Sequence, residues 1–339
     1  MKFSRLLFFF SAVFLFSSCG NNTPEANVDD NTPAELRAIN LKINDNPNDA
    51  KNYVERAKYY FEKEKNKNAA IGDMNKAVQL DPNNIDNILL LSDMYFAANK
   101  TRNTRDMLLL AITKDPKNTE APLKLGELYY LVKNYDSAIV YFNKSIKANQ
   151  DNPSAYYQKG MTLKERGVPG DTAQAVNNFQ KAIEFNPNHY DAMLQLGEIY
   201  ANIKDGMALE YYNSALKVRP NSTEVYYHIG MFYQNTNKID LAIETYNAIL
   251  KVEPNYAFAI YNLGYIELVI KEKPKDAITF FDRAMKADPE YANAVYMRGL
   301  CYEKMGDKKS AAADYNSTLM LEPQHQLAVD GLNRIKTKK

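Results

Sequence analysis

The apolar positions of this chain fall into short runs with helical spacing. Between Asp191 and Tyr200 the large apolar side chains are Met193, Leu196 and Tyr200, three and four residues apart. That spacing puts them on one side of a helix. After a short polar break, "KDG", the next set is Ala208, Tyr212, Ala215 and Leu216, again at helical spacing. No segment keeps the alternation of two that a half-buried strand needs. The pattern predicts helices in pairs and no sheet. Breaks such as "DPNN" and "RPNST" close the second helix of a pair, because Pro has no N–H to continue the hydrogen-bond ladder.

The pairs recur. Pro47, Pro82, Pro116, Pro187, Pro220, Pro254, Pro289 and Pro323 close successive runs, and Gln150 stands where one more Pro would fall. Five residues before Pro stands an Ala at Ala77, Ala111, Ala182, Ala215 and Ala284. A small residue marks each following helix: Ala57, Ser92, Gly126, Gly160, Gly197, Gly230, Gly264 and Gly299. Three marks held in phase at a period of about 34 residues predict a stacked repeat array. The small residues mark the points where two helix backbones approach closely.

This arrangement resembles the tetratricopeptide repeat family. In the fifth repeat the family's motif positions are Met193, Leu196, Gly197, Tyr200, Ala208, Tyr212, Ala215 and Pro220; in the last they include Gly299, Tyr302, Ala311, Tyr315 and Pro323. The first position is never Trp; Ser145, Ile249 and Thr318 replace the second Ala; and "ERGVPGD" lengthens the turn of the fourth repeat. The resemblance implies an all-α fold, a right-handed superhelical solenoid of about eight helix–turn–helix repeats with a helix at each end. Residues 48–323 form the repeats, 32–47 an N-terminal capping helix and 324–339 a C-terminal capping helix. The first cap is expected to start with Thr32 as N-cap, Pro33 as first helical residue and Glu35 completing a capping box.

Residues 1–18 are a different kind of sequence. Lys2 and Arg5 precede a short apolar stretch, Leu6 to Phe16, which reads as a secretory signal peptide and not as a span. Its end, "FSSCG", resembles a bacterial lipoprotein box, with Phe16 in place of the usual aliphatic residue. The resemblance implies a Gram-negative lipoprotein in which Cys19 is the lipid-attachment site and first mature residue. Gly20, where an Asp would retain such proteins in the inner membrane, points to the outer membrane, on its periplasmic or surface face. Residues 19–31 form the lipidated Cys and a polar tether, which reaches roughly 40 Å at full extension.

Charge narrows the partners. The chain carries 42 basic and 41 acidic residues; losing Lys2 and Arg5 with the leader leaves it near neutrality. Nothing in that balance points to nucleic acid. The other cysteine, Cys301, stands inside a repeat helix and reads as a small core residue. His189, His228 and His325 show no metal-ligand spacing, and no nucleophile elbow or phosphate loop is present. The expectation is a non-enzyme with no cofactor and no metal.

Function then rests on surface. The family resemblance implies that the first helix of each repeat lines a concave groove, with three inward positions per repeat. These columns hold acids early and in the middle, at Asp93, Glu127 and Glu198, and aromatics mostly later, at Tyr157, Tyr227, Phe258, Tyr261, Tyr265 and Tyr296. Rings give large contact area at low entropy cost, and acids steer a basic segment. These nine residues are the expected partner-binding positions. The expected role is a membrane-anchored scaffold holding a peptide segment or helix of another cell-envelope protein. The alternative is an accessory of cell-wall machinery that binds glycan strands through the same Tyr-rich groove.

Overall fold

The computed structural model describes residue 26 and residues 31–337. Among these there are eighteen α-helices, one π-helical turn and no strand. The leader, Cys19 and most of the tether lie outside the described residues.

Two compact units are present, Met1–Arg166 and Gly167–Lys339. The first holds α1 (Ala34–Asp45), α2 (Ala50–Glu62), α3 (Lys67–Leu80), α4 (Ile85–Ala97), α5 (Thr101–Lys114), α6 (Glu120–Leu131), α7 (Tyr135–Ala148) and α8 (Pro153–Arg166). The second holds α9 (Asp171–Phe185), α10 (Tyr190–Asn202), α11 (Met207–Val218), α12 (Thr223–Asn235), α13 (Ile239–Val252), α14 (Ala257–Tyr265), α15 (Pro274–Ala287), α16 (Ala292–Lys304), α17 (Lys308–Leu321) and α18 (Gln326–Thr337). The division falls at the lengthened turn of the fourth repeat, between α8 and α9.

Within each unit the helices pair as antiparallel neighbours and each pair packs on the next. In the first unit α2 pairs with α3, α4 with α5 and α6 with α7; in the second α10 pairs with α11, α12 with α13, α14 with α15 and α16 with α17. The crossings lie where the small residues predict. A Cβ on Gly126 would meet Phe142, and one on Gly230 would meet Tyr246, each at 2.6 Å. The second-Ala column is wholly buried at Ala77, Ala111, Ala182, Ala215 and Ala284, and so are its substitutes Ser145, Ile249 and Thr318. Carbonyls of this column also close the helices: Asp81 N–H donates to Ala77 O, and Arg219 N–H to Ala215 O. The residue before each repeat-closing Pro has left the helix, since the following ring disfavours the α region; Asp81, for example, has φ −130° and ψ 79°.

Length differences are absorbed locally. The seventh repeat carries one extra residue between Gly264 and Ala277, and a π-helical turn at Ile266–Ile270 takes it up; single-residue insertions into helices commonly appear as such bulges. The turn between the paired helices recurs with one residue at positive φ: Lys65, Asn99, Lys133, Lys204, Asn237, Glu272 and Gly306.

The N-terminal cap corrects one expectation. α1 begins at Ala34, Pro33 occupies the N-cap position with ψ 138°, and no side chain caps the helix. The first turn closes through Arg37 N–H to Pro33 O at 2.8 Å, which leaves Thr32 one residue too early to serve as N-cap. Its carbonyl instead accepts from Arg37 Nη2 at 3.2 Å.

Candidate partner-binding surfaces

In the first unit, α4 and α6 carry Asp93 and Glu127, and α8 carries Tyr157, which is half-buried. Asp93 is already engaged. Lys124 Nζ donates to its two carboxylate oxygens at 2.6 and 2.7 Å and also lies 3.2 Å from Glu120 one helical turn away. Sequence reading missed Lys124, although a signal existed. A separation of 30 or 31 residues, one repeat less one turn, recurs in polar links between neighbouring repeats: Lys114 to Asn83, Arg166 to Asp136, Arg334 to Glu303. Glu127 is half-buried, and its carboxyl is pushed above the usual range mainly by burial, with Lys124 opposing and Asp93 adding to the rise.

In the second unit Glu198 on α10 faces His228 on α12, 3.8 Å between Oε1 and Nε2, and the His228 ring stacks on Tyr212 at 5.7 Å. The aromatic positions form a connected cluster. Tyr227 meets Phe258 at 6.0 Å between ring centroids and Tyr256 at 6.1 Å. Phe258 meets Tyr291 at 5.2 Å, and Tyr291 meets Tyr261 at 5.0 Å. Phe258 remains 45 % exposed. Tyr261 is half-buried against Phe281, and burial pushes its phenol up to about 12. Tyr265 is half-buried against the core of the last repeats.

Two rings of this cluster were not anticipated. Tyr256 and Tyr291 are the N-cap residues of α14 and α16, each two residues after the repeat's Pro. They stand outside the three inward columns, and the recurring "PNYA" and "PEYA" were the only signal. Tyr296 behaves differently from its column-mates. It is 7 % exposed and packs against Tyr315 at 5.6 Å and His325 at 5.0 Å. His325 caps α18 by accepting Ala328 N–H at Nδ1. Tyr296 thus joins the last repeat to the C-terminal helix, and its ring offers a partner no face.

Cys301 is fully buried, and burial pushes its thiol up to about 12. Among the described residues no group of three or more His, Cys, Asp and Glu is arranged to hold a metal ion, and no helix is long and apolar enough to cross a membrane.

Hairpins stacked at a fixed period, held together at glycine crossings and carrying exposed rings, define a helical-repeat scaffold for protein interaction. The chain belongs to the tetratricopeptide repeat family. Models of that repeat match residues 50–84, 121–152, 153–189 and 223–256, residues 178–207, and residues 266–324, together more than half of the sequence. Among curated relatives, anaphase-promoting complex subunit 3 of Schizosaccharomyces pombe is 32 % identical over 114 residues, 33 % of this chain and 17 % of that protein. RANBP2-like and GRIP domain-containing protein 8 of Homo sapiens is 26 % identical over 121 residues, 35 % of this chain and 7 % of that protein. The chain therefore matches only a small part of these relatives' length. Among solved structures, a tetratricopeptide repeat protein from Parabacteroides merdae aligns with TM-score 0.56 and 16 % identity, covering 75 % of this chain and 99 % of that one. The C-terminal part of a TPR repeat-containing protein from Cytophaga hutchinsonii gives 0.58 and 18 %, covering 72 % and 99 %. At these identities the likeness is one of fold.

Proposed function

We propose that this protein is a lipid-anchored adaptor of the cell envelope that captures a peptide segment or helix of another envelope protein. The observation that carries this reading is the ring cluster of the second unit. Phe258 is 45 % exposed in the midst of Tyr227, Tyr256 and Tyr291. A large apolar side chain held out in water by a rigid aromatic setting suits an anchor residue of an interface. The rings meet Phe258 at 58 to 62°. Tilted rings leave clefts between them for apolar side chains, which favours a peptide over a flat sugar ring stacked on a platform.

The anchor rests on "FSSCG" behind a short apolar stretch. Acylation of Cys19 ties the adaptor to a membrane, taken here as the outer membrane, because several acyl chains hold a protein where a single one holds weakly. A photo-crosslinking residue placed at position 258 in cells should give a discrete adduct with one envelope protein. Labelled palmitate should enter the parent and not Cys19→Ala. Adducts with glycan strands would favour the cell-wall alternative, and the absence of any adduct would remove the adaptor reading. Unchanged labelling of Cys19→Ala would remove the anchor.

A further inference from the structure

In the first unit a cavity of about 460 Å³ opens beside α4, α5 and α6. That volume lies within the roughly 300–1,000 Å³ range of ligand sites. Its apolar wall includes Phe96, Leu128 and Leu131; Phe96 is 47 % exposed and Leu131 59 % exposed, so the wall is open at its rim. Its charged wall is Asp93, Lys124 and Glu127.

The charges do not cancel. The Lys124 ammonium is shared between Asp93 and Glu120. Glu127 feels that ammonium only as a longer-range attraction, and among the described residues no hydrogen bond stabilises its carboxylate. Three carboxylates thus face one cation, and the innermost of them is partly desolvated without a partner. An anion would be repelled here, and a purely apolar guest would leave Glu127 covered and unpaired, which is costly. A cation with an apolar stem satisfies both walls. Between the two cationic side chains, guanidinium suits better than ammonium: it is planar and weakly hydrated, forks onto carboxylates and lies well on aromatic faces, and Phe96 and Tyr130 both line the cavity.

We propose that this cavity is a separate recognition pocket for an arginine flanked by apolar residues on the captured segment, an inference that rests on the adaptor reading above. It assigns Glu127 as the charge partner of the guanidinium and Phe96 and Leu131 as the walls for its stem and neighbours.

The test is calorimetric titration of the full chain with a blocked peptide, Ser-Leu-Arg-Leu-Ser, and with its citrulline counterpart, which has the same shape and no charge. Saturable binding of the arginine peptide is expected. Citrulline in the peptide, or Glu127→Gln in the protein, should each weaken it by about tenfold or more. Leu131→Ser should weaken both peptides together, while Met320→Ala, at a remote and 82 % exposed position, should change neither. Equal affinity for the two peptides, full binding by Glu127→Gln, or no saturable binding at all would each overturn the proposal. Loss of the pocket alone would leave the crosslink at position 258 intact, whereas failure of the adaptor reading would remove that crosslink and leave peptide binding unchanged.

Discussion

A Cβ atom on Gly197 would stand 2.3 Å from Cε1 and 2.5 Å from Cδ1 of Tyr212. No real contact is that short, so the α10–α11 crossing exists because residue 197 has no side chain. Tyr212 is itself 1 % exposed and cannot swing out into water. Gly197→Ala should therefore destabilise the protein by about 1–3 kcal/mol, the usual range for overpacking. Gly206→Ala is the matched control. Nothing lies within 4 Å of its Cβ position and its φ of −61° suits any residue, so it should hold or raise stability, by about 0.4–1 kcal/mol. Urea unfolding of the two variants decides; equal midpoints would contradict this account of the crossing.

The turn between paired helices places Lys133 and Lys204 at φ 59° and 57°. A side chain in this left-handed region costs roughly 1–2 kcal/mol, against about 0.5–1 kcal/mol for glycine's added freedom in the unfolded chain. Lys133→Gly and Lys204→Gly should each raise the melting temperature slightly. A fall in either would mean that the lysine side chain supplies more than its backbone strain removes.

Arg56 and Asp73 form the most deeply buried ion pair among the described residues, with side chains 1 % and 0 % exposed and Nε to Oδ2 at 2.7 Å. Asn40 Oδ1 accepts from Arg56 Nη1 at 2.9 Å. Arg56→Met strands the Asp73 carboxyl in the core and should cost about 3–5 kcal/mol, whereas the double change Arg56→Met with Asp73→Leu should recover most of it. The last repeat repeats the motif with Arg298 and Asp314, but Arg298 is 25 % exposed, so Arg298→Met should cost less. Chemical denaturation of the three variants beside the parent gives the ordering directly.

His189 caps α10 by accepting Ala192 N–H at Nδ1, a role open only to the neutral ring. Burial holds its imidazole below the usual range, with Asp191 opposing. The unfolded chain therefore takes up the proton more readily, near its ordinary pKa of about 6.5. The contribution to stability is fully present above that pH and is lost as pH falls from there through the lowered folded value. His189→Asn keeps a capping oxygen and should flatten this part of the stability profile. An unchanged slope below pH 6.5 would assign the acid sensitivity elsewhere.

Much of the fold was legible because packing repeats. Small residues at one phase and Pro at another fix where helices cross and end, whatever the surface does, and the buried Ser145, Ile249 and Thr318 show that the column demands burial more than it demands alanine. What period alone could not give was anything set by a single neighbour. The extra residue of the seventh repeat was countable, but its lodging in a π-turn depends on how α14 and α15 pack. Tyr296 shares its column with Tyr227 and Tyr261, yet its ring is covered because His325 and Tyr315 close over it at the array's end. Tyr256 and Tyr291 lie two residues before the first inward position of their helices, and only the fold brings their rings against Phe258. Asp93 reads as a free acid until Lys124, one repeat on, is placed beside it.

The central claim is that the rings around Phe258 serve capture and those around Tyr296 serve folding. The most direct measurement sets two variants side by side, Phe258→Ala and Tyr296→Ala, each followed by thermal unfolding and by recovery of the co-purified envelope partner. Phe258→Ala should melt within a degree or so of the parent, since loss of an exposed side chain shifts stability by only about 0.5 kcal/mol, and its partner affinity should drop by about 2 kcal/mol or more. Tyr296→Ala should lose about 3 kcal/mol of stability as a truncated core ring. If Phe258→Ala instead keeps its partner at parental affinity, or unfolds the second unit as readily as Tyr296→Ala does, the exposed rings are part of the scaffold and the claim is wrong.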